Sequence, residues 1–197
     1  MARIHILGAS GSGTSTLGAA LADRLGHAFV DADALFWLPT DPPFTTRRPS
    51  GDRRDLLLQS LPGTGRWVFS GSAVGWAVPV EPFYDLIVFL RIDLPVRMER
   101  LRRRQAARYG ARAETGGDMA AASAEFLRWA EAYDSAGPEQ RSLAGHETWL
   151  KSQTAPVLRL DSSASLQDLA TAILDRLRTH TAPAAGAKRT PHTDDAG

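Results

Sequence analysis

The stretch of sequence that decides the fold is Gly8-Ala9-Ser10-Gly11-Ser12-Gly13-Thr14-Ser15-Thr16. It follows a short apolar run over residues 4–7 and precedes a segment in which Leu17, Leu21 and Leu25 recur at four-residue spacing. The apolar run indicates a buried strand, and leucines at that spacing lie along one face of an amphipathic helix. The glycines between them mark a tight turn. The sequence therefore predicts a strand, a glycine-rich turn and a helix, in that order.

The spacing of this stretch is that of the phosphate-binding loop, G-x-x-x-x-G-K-[ST], with Thr14 at the lysine position. Its glycines can take positive φ angles and carry no side chain that would obstruct a phosphate. The turn can therefore direct consecutive N–H groups inward as an anion nest, beside the positive end of the following helix. Ser15 stands at the position whose hydroxyl contacts Mg²⁺. Residues 4–23 contain no Lys or Arg, so no neighbour in sequence replaces the missing charge.

Two other interpretations of the loop remain open. A flexible Gly/Ser linker is disfavoured because the stretch lies between an apolar strand and a leucine-striped helix. A dinucleotide-binding turn is disfavoured because the G-x-G-x-x-G fingerprint is not present, although Gly11-Ser12-Gly13 resembles part of it. Asp31 or Asp33 would then be the acidic partner that follows such a turn after about 20 residues.

Composition limits the classes of protein that the chain can belong to. The 197 residues suffice for one domain with a full core and a small inserted lid, and the net charge of +1 does not favour nucleic acid or a membrane surface as a partner. The absence of cysteine excludes disulfides, thiolate catalysis and cysteine-bound metals. Without a long apolar run or a leader before the first strand, we expect a cytoplasmic protein. Lysine occurs only at Lys151 and Lys188, so a cation that faces a phosphate in the first 150 residues must be arginine.

An acidic pair follows the second predicted strand, residues 28–30. Asp31 and Asp33 fall where that strand ends, and the carboxyl ends of parallel strands form the edge at which ligands bind. We expect at least one of the pair, with Asp33 favoured, to bind a ligand or metal. The alternative is that one of them caps the next helix.

Aromatic side chains and arginines occur together in residues 34–61. Trp37 precedes a proline-rich run that contains Arg47 and Arg48 and forbids a regular element. Arg53 falls in the first turn of the next predicted helix, where the helix dipole disfavours a cation. These residues either form a pocket for a base or ring that carries an anion, or belong to a surface loop whose aromatics are anchored in the core.

Two further segments contain residues that either bind a ligand or have only a structural role. Gly71 and Ser72, followed by Trp76, form a turn of small residues after the third predicted strand, either for close approach of a ligand or for packing. His146 stands beside Glu147 with no other ligand cluster nearby, which favours a structural histidine over a metal ligand.

A run of arginines follows the fourth predicted strand. Arg97, Arg100, Arg104 and Arg108 are three and four residues apart, which places them on one helix face. Like charges on one face repel unless an anion lies between them. We interpret the face as a triphosphate contact; a solvated basic face and a nucleic-acid patch are the alternatives.

The order of these features resembles the adenylate-kinase-like P-loop kinases, and most of all a bacterial branch labelled adenylate-kinase-related or DNA-topology-modulation-like. The resemblance rests on the G-A-S-G-S-G start, on Asp31-Ala32-Asp33 and on Trp37-Leu38-Pro39, and it covers residues 2–179. It implies a P-loop NTPase fold, with a five-stranded parallel sheet covered by helices on both faces. It also implies one domain over residues 1–180, with an acceptor-binding insertion at 34–61 and a lid at 105–137. Residues 181–197 are predicted to be a disordered tail.

The resemblance also implies roles for individual residues. Asp33 would hold the acceptor or a metal-bound water, and Arg100 and Arg104 would contact the transferring phosphate. The triphosphate would be bound by Gly8, Ser10, Gly11, Ser12, Gly13, Thr14, Ser15, Thr16 and Arg108, and Mg²⁺ by Ser15 and Asp33. The residues predicted to bind the acceptor are Asp31, Trp37, Arg47, Arg48, Arg53, Gly71, Ser72 and Trp76.

The expected function is therefore ATP-dependent phosphoryl transfer to a small molecule, nucleotide or nucleoside. An arginine of the lid helix would replace the absent lysine, and the protein would act as a monomer or homodimer. A catalytically weak nucleotide-binding regulator and a nucleic-acid-associated protein are the alternatives.

Overall fold

A computed structural model describes residues 2–181 and shows five strands separated by helices. The strands are β1 (Arg3–Gly8), β2 (Ala28–Asp31), β3 (Trp67–Ser70), β4 (Leu86–Arg91) and β5 (Val157–Asp161). The α-helices are α1 (Thr14–Leu25), α2 (Ala32–Phe36), α3 (Ser50–Ser60), α4 (Leu94–Tyr109), α5 (Ala120–Glu131), α6 (Leu143–Ser152) and α7 (Leu166–Thr181). Short 3₁₀ helices cover Val78–Phe83, Gly110–Ala113 and Ala132–Asp134.

The strands form one parallel sheet in the order β2-β3-β1-β4-β5. The prediction of a five-stranded parallel sheet covered on both faces is confirmed. Because β1 lies between β3 and β4, the chain leaves it toward one side for β2 and β3 and returns to the other side for β4 and β5. Ligands bind in such sheets at the carboxyl end of the strands where this reversal occurs. The turn between β1 and α1 lies at that point.

Alternate residues of each strand pack against opposite helical layers. In β1, Ile4 and Ile6 face the layer formed by α1 and α7, whereas Leu7 faces the layer that contains α3 and α6. All three side chains are fully buried. This explains why the central strands lack a polar face, as expected for a parallel sheet covered on both sides.

The last helix begins with a reciprocal cap. Ser165 Oγ accepts a hydrogen bond from the backbone N–H of Asp168 and donates one to its carboxylate. The predicted tail, residues 181–197, lies outside the described residues except for Thr181, the last residue of α7.

Candidate active site

The turn after β1 has the backbone conformation that its glycines permit. Gly11 and Gly13 take φ angles of 87° and 89°, which side-chain-bearing residues rarely adopt. Gly8 is needed for a different reason: a Cβ there would lie 2.5 Å from the carbonyl oxygen of Leu90 on β4. The turn can therefore approach β4 closely and present the N-terminus of α1 to the space above it.

A cavity of about 220 Å³ lies above this turn, and we call it the phosphate cavity. The predicted site residues that line it are Ser10, Gly11, Gly13, Thr14, Ser15, Thr16, Asp31, Asp33, Gly71, Ser72, Arg100 and Arg104. Gly8 and Ser12 do not line it; the Ser12 hydroxyl is buried beneath the turn. The structure therefore brings residues from α1, the end of β2, the end of β3 and α4 to one place.

The two aspartates after β2 have different positions. Asp31 is the N-cap of α2, since its Oδ1 accepts a hydrogen bond of 2.8 Å from the backbone N–H of Asp33. The side chain of Asp33 lines the phosphate cavity and caps no helix among the described residues. The surrounding protein raises the pKa of Asp33, first by partial removal from water and then through the negative charge of Asp31. Three arginines oppose that rise: Arg141, Arg104 and Arg108.

The arginines of α4 meet different neighbours along the helix. Arg100 and Arg104 line the phosphate cavity, and Arg100 donates hydrogen bonds of 3.4 and 3.3 Å to the hydroxyl and carbonyl oxygens of Ser162. Arg97 is only 1% exposed and forms an ion pair of 2.9 Å with Asp134. Arg97 therefore belongs to the interior, and the basic face is not a continuous phosphate contact.

Arg108, predicted to contact the triphosphate, lies over the ring of Phe44, with its guanidinium carbon 3.9 Å from the ring centre. It lines a cavity of about 570 Å³ between α4, α5 and the segment around Phe44, which we call the lid cavity. It does not line the phosphate cavity. The two spaces are continuous at the residues that line both cavities, which are Ser10, Asp33, Arg104 and Arg141.

Arg141, just before α6, is a site residue that the sequence analysis missed. It lines the phosphate cavity, and its Nη2 donates a hydrogen bond of 3.3 Å to the carbonyl oxygen of Gly8. Burial lowers the pKa of Arg141, against the opposing charge of Asp33. No local motif marks this arginine, because the contact joins residues 133 positions apart.

A third cavity, of about 660 Å³, is rich in aromatic side chains, and we call it the aromatic cavity. Its aromatic wall consists of Phe36, Trp37, Trp76, Trp129, His146 and Trp149. Among the predicted acceptor residues, Trp37, Arg47, Ser72 and Trp76 line it. It meets the phosphate cavity at Asp33, Ser72 and Arg141.

Two predicted acceptor residues contact protein groups instead. Arg48 Nε donates a hydrogen bond of 2.9 Å to the carbonyl oxygen of Leu35, at the end of α2. The guanidinium carbon of Arg53 lies 4.7 Å from the ring centre of Phe36 and 5.0 Å from that of Trp76. Arg53 therefore backs the aromatic wall, whereas Arg48 holds α2 in place.

His146 connects the aromatic cavity to the interior. Its Nε2 lies 2.8 Å from Ser72 Oγ, and its Nδ1 lies 2.7 Å from the hydroxyl of Tyr133. Burial lowers the pKa of His146 to about 3, with smaller contributions from Arg141 and His5. The imidazole is therefore neutral at physiological pH, and both of its nitrogens contact protein hydroxyls.

The oxygen donors in the phosphate cavity fit Mg²⁺ bound together with phosphates. Ser15 offers a hydroxyl and Asp33 a carboxylate, and Mg²⁺ in phosphoryl-transfer sites uses one or two protein oxygens besides phosphates and water. Within residues 2–181, no group of three or more His, Cys, Asp or Glu side chains could hold a metal without such a partner. None of the helices in that range combines the length and apolar content needed to cross a lipid bilayer.

Comparison with known proteins gives two relatives by sequence. The chain is 44% identical over 177 residues to the uncharacterised protein YqaC of Bacillus subtilis, a match that covers 90% of this chain and 98% of YqaC. It is 29% identical over 110 residues to a shikimate kinase of Thermosynechococcus vestitus, covering 51% of this chain and 60% of that enzyme. The sequence matches no established protein-family model.

A similar solved structure is the shikimate kinase of Acinetobacter baumannii in complex with shikimate. It has a TM-score of 0.51 at 15% sequence identity, and the match covers 92% of this chain and 95% of the kinase. Likeness at that identity shows the fold alone. The predicted P-loop kinase fold is therefore confirmed.

Proposed function

The chain belongs to the family of the Bacillus subtilis YqaC protein and has a P-loop kinase fold, and from that premise we propose that it is an ATP-dependent phosphotransferase acting on a small hydroxyl compound. The observation that carries this proposal is the position of Asp33, which lines the phosphate cavity and the aromatic cavity at once. A phosphotransferase needs a donor compartment and an acceptor compartment that meet beside a group able to take the acceptor's proton.

The donor occupies the phosphate cavity. The N–H groups of the turn and the N-terminus of α1 hold its phosphates. Mg²⁺, when bound at Ser15 and Asp33, supplies neutralising charge to the outer phosphates.

The acceptor hydroxyl approaches from the aromatic cavity. Its oxygen forms the new bond to the γ-phosphorus, the bond from that phosphorus to the β–γ bridging oxygen breaks, and ADP leaves. Asp33 orients the hydroxyl and accepts its proton. Arg100 and Arg104 balance the charge on the transferring group.

The walls of the aromatic cavity support an acceptor with a ring and an anionic group. Its tryptophans offer flat apolar faces, and Arg47 supplies positive charge at its edge. A cavity of about 660 Å³ falls in the range of small-molecule sites. The shikimate kinases among the relatives and similar structures make ring-shaped hydroxy acids the first compounds to test.

A nucleotide-binding regulator is the second candidate, because Thr14 stands where a catalytic P-loop carries lysine. Such a protein would bind the triphosphate and respond to it without transferring phosphate.

Titration calorimetry with MgATP tests the donor site. We expect dissociation in the micromolar range for the parent protein, because the nest retains its N–H donors. A panel of hydroxy acids, sugars and nucleosides is then assayed for ADP release. Binding without acceptor-dependent ADP release favours the regulator, and absence of MgATP binding contradicts both functions.

Tryptophan fluorescence tests the acceptor cavity without turnover. Four of the five tryptophans of the chain, Trp37, Trp76, Trp129 and Trp149, line the aromatic cavity. The fifth, Trp67, is buried in the core. An acceptor should change the emission of the parent protein, and Trp76→Phe should reduce that change. A turnover substrate that leaves the emission unaltered would place the acceptor elsewhere.

A further inference from the structure

The phosphate cavity has the backbone of a phosphate-binding loop without the cation that belongs to it. Thr14 stands at the lysine position, and that lysine normally reaches the β- and γ-phosphates. The cationic side chains that line this cavity are Arg100, Arg104 and Arg141. One of them must offset the charge of the outer phosphates if a triphosphate binds there tightly.

Two of these arginines come from α4 and contact protein groups outside the loop. Both terminal nitrogens of Arg100 donate to Ser162, in the turn after β5. Arg104 projects from the exposed side of α4 toward the lid cavity, with its guanidinium carbon 5.8 Å from the ring centre of Phe126. Arg100 lies close to the loop, with Nη1 3.9 Å from the position that a Cβ on Gly13 would take, but both of its terminal nitrogens are already paired with Ser162.

Arg141 is attached to the loop itself. Its Nη2 donates to the carbonyl oxygen of Gly8, the first residue of the motif, at 3.3 Å. Its Nε is buried and has no hydrogen-bond partner among the described residues. An unpaired N–H that is shielded from water is costly, and here it lies beside an anion nest, so the site favours an anionic partner for Arg141.

The segment that carries Arg141 is held in place from both sides. The next residue, Ser142, caps α6 by accepting a hydrogen bond of 3.0 Å from Gly145 N–H, and its hydroxyl donates to the carbonyl oxygen of Gly137 at 2.7 Å. The Arg141 guanidinium carbon lies 5.6 Å from the ring centre of Trp129. The charge is thus positioned before a ligand arrives, as the lysine of the usual loop is.

We propose that Arg141 supplies, from the turn before α6, the positive charge that the P-loop lysine supplies elsewhere. It binds the outer phosphates of the triphosphate while it remains bonded to the start of the loop. The inference rests on the proposed function in taking the loop as the triphosphate site. It differs from the expectation that an arginine of the lid helix replaces the lysine: Arg141 contributes to binding, and Arg104 to transfer.

The test is a cycle of four proteins titrated with MgATP: the parent, Arg141→Ala, Thr14→Lys and the double variant. We expect Arg141→Ala to weaken binding about 10- to 100-fold, as for a lost charge-assisted contact. Thr14→Lys should restore the affinity of Arg141→Ala to within about threefold of the parent, because it returns the charge to its usual position. Arg104→Ala, as the matched variant on the lid side, should change the affinity less than about threefold with or without Thr14→Lys.

Each other result has a definite meaning. Unchanged MgATP affinity in Arg141→Ala overturns the inference, and so does a loss that Thr14→Lys leaves in place. If Thr14→Lys restores the MgATP affinity of Arg104→Ala but not that of Arg141→Ala, the compensating charge belongs to Arg104 on α4 instead. A parent that does not bind MgATP overturns the proposed function and this inference with it, which the first titration reveals. Arg141→Gln, which keeps a donor for Gly8, provides a second variant should Arg141→Ala fail to fold.

Discussion

The Nε2 atom of His146 lies 2.8 Å from the Oγ atom of Ser72, and this contact fixes the direction of the Ser72 hydroxyl. The Tyr133 hydroxyl lies 2.7 Å from Nδ1, the other ring nitrogen of His146. This hydroxyl has one proton to donate, and Nδ1 is the acceptor that the described residues offer to it. With Nδ1 accepting, the neutral ring must carry its proton on Nε2 and donate it to Ser72. The Ser72 proton is then free to point into the junction between the phosphate and aromatic cavities.

The first prediction concerns this chain of hydrogen bonds. Tyr133→Phe removes the donor that sets the tautomer of His146, so Ser72 loses its fixed role as a donor. We expect the turnover number for the acceptor to fall about 5- to 10-fold, the value of one neutral hydrogen bond, with MgATP affinity unchanged.

The control for that prediction is to introduce Tyr133→Phe into a protein that already carries Ser72→Ala. If Tyr133 acts through Ser72, Tyr133→Phe should cause no further loss of turnover there. An equal loss in both backgrounds would show that Tyr133 acts by another route. Chemical unfolding of each variant separates a loss of turnover from a loss of folding.

The second prediction is a decrease in stability in mild acid. Burial lowers the pKa of His146 to about 3 and that of His5 to about 4, below the ordinary value of 6.5. At pH values below 6.5 and above these lowered pKa values, both histidines are protonated in the unfolded chain but neutral in the folded chain. The free energy of unfolding should therefore fall as pH drops below 6.5, by about 1.4 kcal/mol per pH unit for each histidine.

Urea unfolding at several pH values between 7 and 4.5 measures this slope. His146→Gln should reduce the slope by about one proton, and His5→Gln should also reduce it, because burial between the rings of Phe69 and Tyr84 keeps His5 neutral in the folded protein. A slope that neither substitution alters would contradict the neutral burial of both rings.

The sequence predicted those parts of the fold and site whose signals are local. The turn after β1 follows from glycines at fixed spacing, and the five strands follow from short apolar runs. The position of Asp33 at the phosphate cavity was predictable because it comes two residues after a strand whose carboxyl end lies at the ligand edge. In each case the residue and its environment are adjacent in the chain.

The sequence could not predict the surroundings of side chains whose neighbours are distant along the chain. Helical spacing placed Arg97 and Arg108 on the basic face with Arg100 and Arg104, but it could not show that the interior holds Arg97 or that Phe44 holds Arg108. Arg141 reaches Gly8 only through the tertiary fold, across 133 residues of chain. The strand order, too, depends on tertiary contacts that no local pattern specifies.

The third prediction is that Asp33→Asn lowers turnover about 100- to 10,000-fold, the usual range for a lost general base, while the protein stays folded. Steady-state turnover of the parent and of Asp33→Asn measures the loss, and chemical unfolding of both proteins checks that the variant folds.

Asp31→Asn is the comparison for Asp33→Asn. Asparagine retains the oxygen that caps α2, so the substitution should preserve helix and fold. Activity of Asp33→Asn equal to that of the parent would leave Asp33 without a role in proton transfer.

The fourth prediction separates binding from transfer in the arginines. Arg104 lines the phosphate cavity together with Asp33, where the phosphoryl group is transferred in the proposed reaction. Arg104→Ala should lower the turnover number about 100- to 1,000-fold, as for a group that stabilises the transition state, and change MgATP affinity less than threefold. Arg103→Ala is the control, because that side chain is exposed and paired with Glu99 on the outer face of α4; it should leave both constants unaltered. A turnover number for Arg104→Ala equal to that of Arg103→Ala would remove Arg104 from the mechanism.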